Sequence, residues 1–208
     1  MNIRHVDSKE KLKDYYNFFS KVFYDDAVEH NEYYYPMYNA YSKVLEQYEK
    51  DSSLLLYIEE EGKIVATLGV KDVKEKEATI DVVAVDKNYR GRGYSSILLK
   101  EEEKRLLLKG IENVSLGARF RACGVYLKNG YSPTLLVQVS DFATIDLVKA
   151  ANKYGYKIVN EYQNDVCGAV FYEVDKVELD VIKHFEKSVP TAKASYIFTK
   201  TIKREKKK

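Results

Sequence analysis

Tryptophan is absent from the 208 residues, cysteine occurs twice and proline three times. Two cysteines, Cys123 and Cys167, are too few for a disulfide scaffold or a zinc cluster, which points to a reducing, cytoplasmic setting and no bound metal. No apolar run approaches the ~18 residues that a membrane span needs, so no membrane partner is expected. The opening residues, MNIRHVDSKEKLKDYY, lack the apolar stretch of a secretory signal. An excess of one charge is missing too. The last six residues, KREKKK (203–208), hold five basic groups and one acid, leaving 29 basic against 31 acidic residues before them. The body is therefore not expected to bind nucleic acid. The tail reads as a solvated extension, with nucleic-acid association as the competing reading.

What is present suits a packed α/β protein. Hydrophobic residues make up 45% of the chain, enough for a real core. Tyrosine outnumbers phenylalanine 19 to 8. The run Tyr33, Tyr34, Tyr35 before Pro36 fits two readings: the lining of a polar pocket, or tyrosine filling a core without tryptophan. Helical spacing runs from Leu12 through Tyr15, Phe19 and Phe23, breaks near Asp25, Asp26 and His30, and resumes after Pro36 through Tyr41, Val44, Leu45 and Tyr48. Strands are expected over 54–60, 63–73, 78–85 and 114–118, with a helix over 94–109 closed by Gly110. A short helix over 122–129 follows. The remainder reads strand, helix, strand, strand, helix, strand: 134–140, 142–154, 156–162, 166–174, 177–187 and 194–202. That order is the ferredoxin-like split unit. The expected organisation is a mixed sheet with flanking helices over 1–133, a small ferredoxin-like β-α-β-β-α-β unit over 134–202, and a basic tail over 203–208, divided near Pro133.

The stretch IDVVAVDKNYRGRG (80–93) carries the chemistry. A buried strand ends, the chain turns, and Arg90-Gly91-Arg92-Gly93 opens a helix. Glycines let a ligand approach the backbone closely. The first amides and the dipole of the helix then favour an anion such as a pyrophosphate. Arg90 and Arg92 could add positive charge outside that cradle. Taken alone, the pattern equally fits a plain tight turn. It is neither the dinucleotide fingerprint nor a P-loop, for it lacks the three spaced glycines and the Gly-Lys-Ser/Thr.

Residues 85–95, VDKNYRGRGYS, resemble the acetyl-CoA-binding motif of the GCN5-related N-acetyltransferases, the GNAT superfamily. That motif runs Arg/Gln-x-x-Gly-x-Gly/Ala, matched at Arg90, Gly93 and Ser95. A second stretch, ACGVYLKNGY (122–131), resembles the Ala-x-x-x-Tyr-x-x-x-Gly-Phe/Tyr pattern of the same family. The likeness covers about residues 1–133. It implies acetyl-CoA as cosubstrate, with backbone of Val83, Ala84 and Val85 pairing with the pantetheine arm. It implies that amides of Gly91, Arg92, Gly93, Tyr94, Ser95 and Ser96 hold the pyrophosphate, and that Tyr126 donates a proton to the leaving thiolate. A small-molecule or peptide amine would attack the thioester directly.

Two departures stand out. Where the family often has a cofactor-contacting Asn, this chain has Arg119, an arginine able to meet CoA phosphates. The strand 114–118, VSLGA, lacks the glutamate that many members use as general base. Asp81 is the first substitute, a carboxylate on an apolar strand beside Val83 and Val85 that could serve as a dry base, or as a structural group. Glu29 and His30, between the first two helices, could border the acceptor together with Tyr33 and Tyr35, or be solvated loop residues; histidine changes charge near neutrality. The sequence thus supports an acetyl-CoA-dependent N-acetyltransferase. The alternative is a non-catalytic acyl-CoA sensor read out by a regulatory or dimerising C-terminal unit, a homodimer being one candidate assembly.

Overall fold

Ser8 opens the first helix by accepting the Lys11 amide at 3.2 Å, and Leu12, Tyr15, Phe19 and Ala27 keep one side buried along α1 (Lys9–Glu29). The computed structural model describes residues 2–32 and 40–203. Tyr33, Tyr35, Pro36 and most of the basic tail lie outside them. The helix runs past Asp25 and Asp26, where the apolar spacing breaks. Asp25 pairs with Lys21 one turn back at 2.5 Å, so a polar turn continues on the solvent side. Glu29 is thus the last helical residue and His30 its C-cap, not members of a loop.

The chain divides into two compact units, Met1–Val114 with Thr201–Lys208, and Ser115–Lys200. In the first, β1 (Asn2–His5), β2 (Leu55–Glu60), β3 (Lys63–Lys74) and β4 (Glu77–Val85) lie side by side in chain order, each antiparallel to the next. Glu61 and Gly62 both take left-handed φ, 52° and 76°, which makes the tight turn between β2 and β3. Leu55 to Ile58 are buried on both faces of β2, as a covered strand requires. Leu55 and Tyr57 join Val82 and Ala84 beneath α1 and α2 (Tyr41–Asp51). α3 (Tyr94–Leu108) packs on β2, β3 and β4.

The division falls inside β5 (Asn113–Ala118). The second unit holds α4 (Cys123–Lys128), β6 (Ser132–Val139), α5 (Ile145–Ala150), β7 (Ile158–Gln163), β8 (Gly168–Glu173), α6 (Leu179–Ser188) and β9 (Lys193–Thr201). Its strands run β9-β6-β8-β7 with antiparallel neighbours throughout. Pro133, where the sequence suggested a boundary, is the second residue of β6. It stands opposite Phe198 of β9, while pairing to β8 begins only at Thr134. Its missing N–H therefore disturbs only one ladder. α5 ends well before the expected 154. The Asn152 side chain both donates to the Tyr156 carbonyl at 2.7 Å and accepts its amide at 3.1 Å, replacing a further helical turn by a loop.

Tyrosine fills the space that tryptophan would take. Tyr15, Tyr57, Tyr172 and Tyr196 are among the largest fully buried side chains. The hydroxyls of the last two are satisfied by backbone: Tyr172 donates to the Val148 carbonyl at 3.1 Å and Tyr196 to that of Glu178 at 3.1 Å. Among the described residues no helix is long and apolar enough to cross a membrane.

Candidate active site

The turn between β4 and α3 is built by local chemistry. Asp86 accepts the Asn88 amide at 2.8 Å and shapes the short 3-10 turn Lys87–Tyr89. Gly91 and Gly93 then take φ of 80° and 84°, backbone that side chains with a Cβ rarely adopt. Gly93 is the N-cap of α3 and offers no side chain to the helix's first amides. Those amides, with the positive end of the dipole, make an anion cradle. Ser95 and Ser96 lie half-buried in the first turn. Val83, Ala84 and Val85 pair on one side with Leu68, Thr67 and Ala66 of β3.

Both arginines of the turn are engaged by carboxylates from distant elements. Arg90 Nη2 lies 3.4 Å from Asp26 Oδ1 on α1, and its Nε donates to the Val85 carbonyl at 3.4 Å. Arg92 Nη1 lies 3.8 Å from Glu60 Oε2, and the guanidinium sits 4.7 Å over the Tyr89 ring. Tyr94 donates its phenol to Glu60 Oε1, and this hydrogen bond raises the phenol's pKa. Asp26 also holds His30: the ring Nδ1 is 2.8 Å from the Asp26 carbonyl oxygen. A carbonyl only accepts, so Nδ1 is the donor in this contact, and in the neutral form of the ring the lone pair is on Nε2.

Asp26 and Glu60 had no signal in the sequence, because their partners are 64 and 34 residues away. Asp81 is not the dry carboxylate that its strand position suggested. It is exposed, and its carboxylate lies 3.5 Å from Lys71 Nζ. The β3–β4 register passes from Gly69↔Val82 to Val70↔Ile80 to Asp72↔Thr79. Asp81 and Lys71 are thus the residues skipped at two bulges, and they meet outside the core.

In the second unit, Tyr126 is buried on α4, its ring 5.4 Å from Phe198 and 6.2 Å from Tyr131. Burial pushes its phenol well above the ordinary tyrosine value. Cys123, one turn earlier, is buried, and desolvation raises its thiol to about 11, which removes it as a nucleophile. Arg119 is exposed and caps the 3-10 turn Phe120–Ala122 that leads into α4.

The sequence model of the acetyltransferase (GNAT) family matches residues 12–131, more than half of the chain. The chain belongs to the GNAT family. It is an acetyltransferase with acetyl-CoA as cosubstrate. Solved structures agree on the fold. PaiA N-acetyltransferase from Thermoplasma acidophilum, in complex with coenzyme A, is similar with a TM-score of 0.56 at 15% identity, over 83% of this chain and 97% of its own. A GNAT-family acetyltransferase from Staphylococcus aureus gives 0.54 at 14%, over 82% and 98%. Ribosomal-protein-alanine N-acetyltransferase from Brucella melitensis gives 0.52 at 14%, over 97% and 99%. Comparison with curated protein sequences finds no match. In this GNAT protein a Cβ built at Gly91 or Gly93 meets nothing within 4 Å, so the backbone of the turn is open.

Proposed function

We propose that this acetyltransferase moves the acetyl group of acetyl-CoA to a primary amine by direct attack. The observation that carries the reading is the Arg90–Gly93 turn, with both glycines left-handed at the head of α3. Backbone of Val83, Ala84 and Val85 would hold the pantetheine arm. Amides of residues 91–96 would hold the pyrophosphate, with Arg119 a further phosphate contact. Acetyl-CoA supplies the activated acyl group as a thioester.

His30 Nε2 is the proposed proton acceptor from the attacking amine. Its ring is fixed by the Asp26 carbonyl in the tautomer that leaves this nitrogen open. Glu29, the helix residue before it, is a further candidate for contact with the amine. Tyr126 Oη is the proposed general acid. Burial keeps the phenol protonated at rest, so it can donate a hydrogen bond to the departing sulfur, along which the proton would pass to the thiolate. Positioning supplies much of the remaining rate.

The test is thiol release with a panel of polyamines, amino sugars, aminoglycosides and peptides bearing free N-termini or lysines. At least one amine should produce acetyl-dependent thiol. With it, Tyr126→Phe and His30→Gln should each lower kcat about 100-fold, the range of general acid–base catalysis, with little change in KM for acetyl-CoA. Binding of acetyl-CoA without transfer to any amine would instead support an acyl-CoA sensor. Unchanged kcat in either variant would remove that residue's role.

A further inference from the structure

We propose that Glu60 is a positioning residue of the acetyl-CoA cradle, its carboxylate latching the turn before α3 through Tyr94 and Arg92 at once. The inference rests on the reading of this turn as the acetyl-CoA site. Glu60 ends β2, an element remote in sequence from the turn. One carboxylate oxygen accepts the Tyr94 phenol. The other lies 3.8 Å from Arg92 Nη1. Arg92 reaches back over the Tyr89 ring at 4.7 Å and donates Nη2 to the Asn88 carbonyl at 3.5 Å. A single carboxylate thereby ties residues on both sides of Gly93 and, through Arg92, the 3-10 turn before Gly91.

The turn needs such a latch because its two glycines are what allow it to form. Glycine loses more conformational freedom on ordering than any other residue, so an unlatched cradle would order only as the ligand binds, at a cost in affinity. Charge alone argues against an acid at this place. The ligand is a polyanion, and a carboxylate nearby repels it. Yet the chain sets Asp26 against Arg90 and Glu60 against Arg92, neutralising within the protein the two arginines that could have met phosphate. A role in shape rather than in charge accounts for both pairs.

The two views give opposite signs for one substitution. Glu60→Gln removes a negative charge and leaves Arg92 without its counter-ion. If charge governs the site, CoA binds this variant more tightly. If the latch governs it, CoA binds more weakly, because the charge-assisted contacts are lost. Calorimetric titration of CoA into wild type and variants decides between them, together with KM and kcat for acetyl-CoA. The latch predicts a Kd and KM about tenfold higher in Glu60→Gln, with kcat at saturation within about twofold of wild type. Tyr94→Phe keeps the ring and loses only the phenol bond. It should weaken binding about threefold, and it covers the case in which Glu60→Gln folds poorly. Glu59→Gln is the control, since that neighbouring carboxylate pairs with Lys11 at 3.4 Å, and its Kd should equal that of wild type. Unchanged or tighter CoA binding in Glu60→Gln, or an equal loss in Glu59→Gln, would overturn the latch while leaving the acetyl-CoA site intact. Wild type that takes up no CoA would overturn both.

Discussion

Gly69 in β3 shows how far a single side chain can constrain this core. A Cβ built there would stand 2.6 Å from the Tyr15 hydroxyl and 3.3 Å from Leu55 Cδ2. Tyr15 and Leu55 are buried, so neither has room to move. Gly69→Ala should therefore destabilise the protein by about 1–3 kcal/mol, the usual cost of overpacking, read as a lower urea midpoint. The Tyr15 hydroxyl is buried without a protein hydrogen-bond partner among the described residues. Tyr15→Phe alone should then be neutral or stabilising, and it should recover part of the Gly69→Ala loss. If the two substitutions add independently, the close approach of hydroxyl and strand is not what demands glycine. Nothing in the sequence announced the Tyr15–Gly69 pair, because helix and strand spacing name which face is buried but not which atoms meet across it. The same holds for Asp81: alternation along β4 assigned it a face, and the two bulges that release it to Lys71 leave no mark in the residue pattern.

Among the elements, α3 joins the cradle to the core, and it buries an unusual carboxyl group. Glu102 faces the interior with 0% exposure, and neither carboxylate oxygen has a hydrogen-bond partner among the described residues. Burial raises its carboxyl to about 8, partly offset by Arg105 and Lys109 and reinforced by Asp51 and Glu101. An acid whose folded value lies above its unfolded value binds more protons when folded. Its effect is absent below about pH 4.5, and stability is then lost progressively as pH rises to about 8. Glu102→Gln removes that loss. Its stability advantage over wild type should grow from pH 5 to pH 8 and reach the order of a few kcal/mol, measured by urea unfolding at several pH values. A constant difference across that range would place the carboxyl in a wetter environment than the structure shows. At the other end of the helix, Gly93→Ala should cost about 1–2 kcal/mol, from the left-handed φ of 84° rather than from crowding. The start of α3 was legible because its signals are adjacent: a strand end, a glycine turn, then apolar spacing. The length of α5 was not, because Asn152 ends it by side-chain hydrogen bonds that apolar periodicity does not register.

For the whole molecule, the order of strands and helices was readable almost throughout, whereas the division of the chain was not. The proline expected to separate two domains sits inside β6, and the compact units part within β5 instead. Pairing between strands distant in sequence decides such a boundary, and proline marks only where a local element starts. The two GNAT motifs were legible for the opposite reason, since each is a short local pattern that a turn or a helix requires. An acetyl-CoA cradle at the head of α3 is the proposed centre of this protein's chemistry. Thermal unfolding with increasing acetyl-CoA tests it most directly. At a ligand concentration of about 100 times Kd, binding to the folded state adds about 2.7 kcal/mol, which for a chain of this size is a Tm increase of roughly 5–10 °C. A concentration-dependent rise of that size, reduced in Gly93→Ala, is the predicted result. A Tm that stays flat with millimolar acetyl-CoA would rule the cradle out.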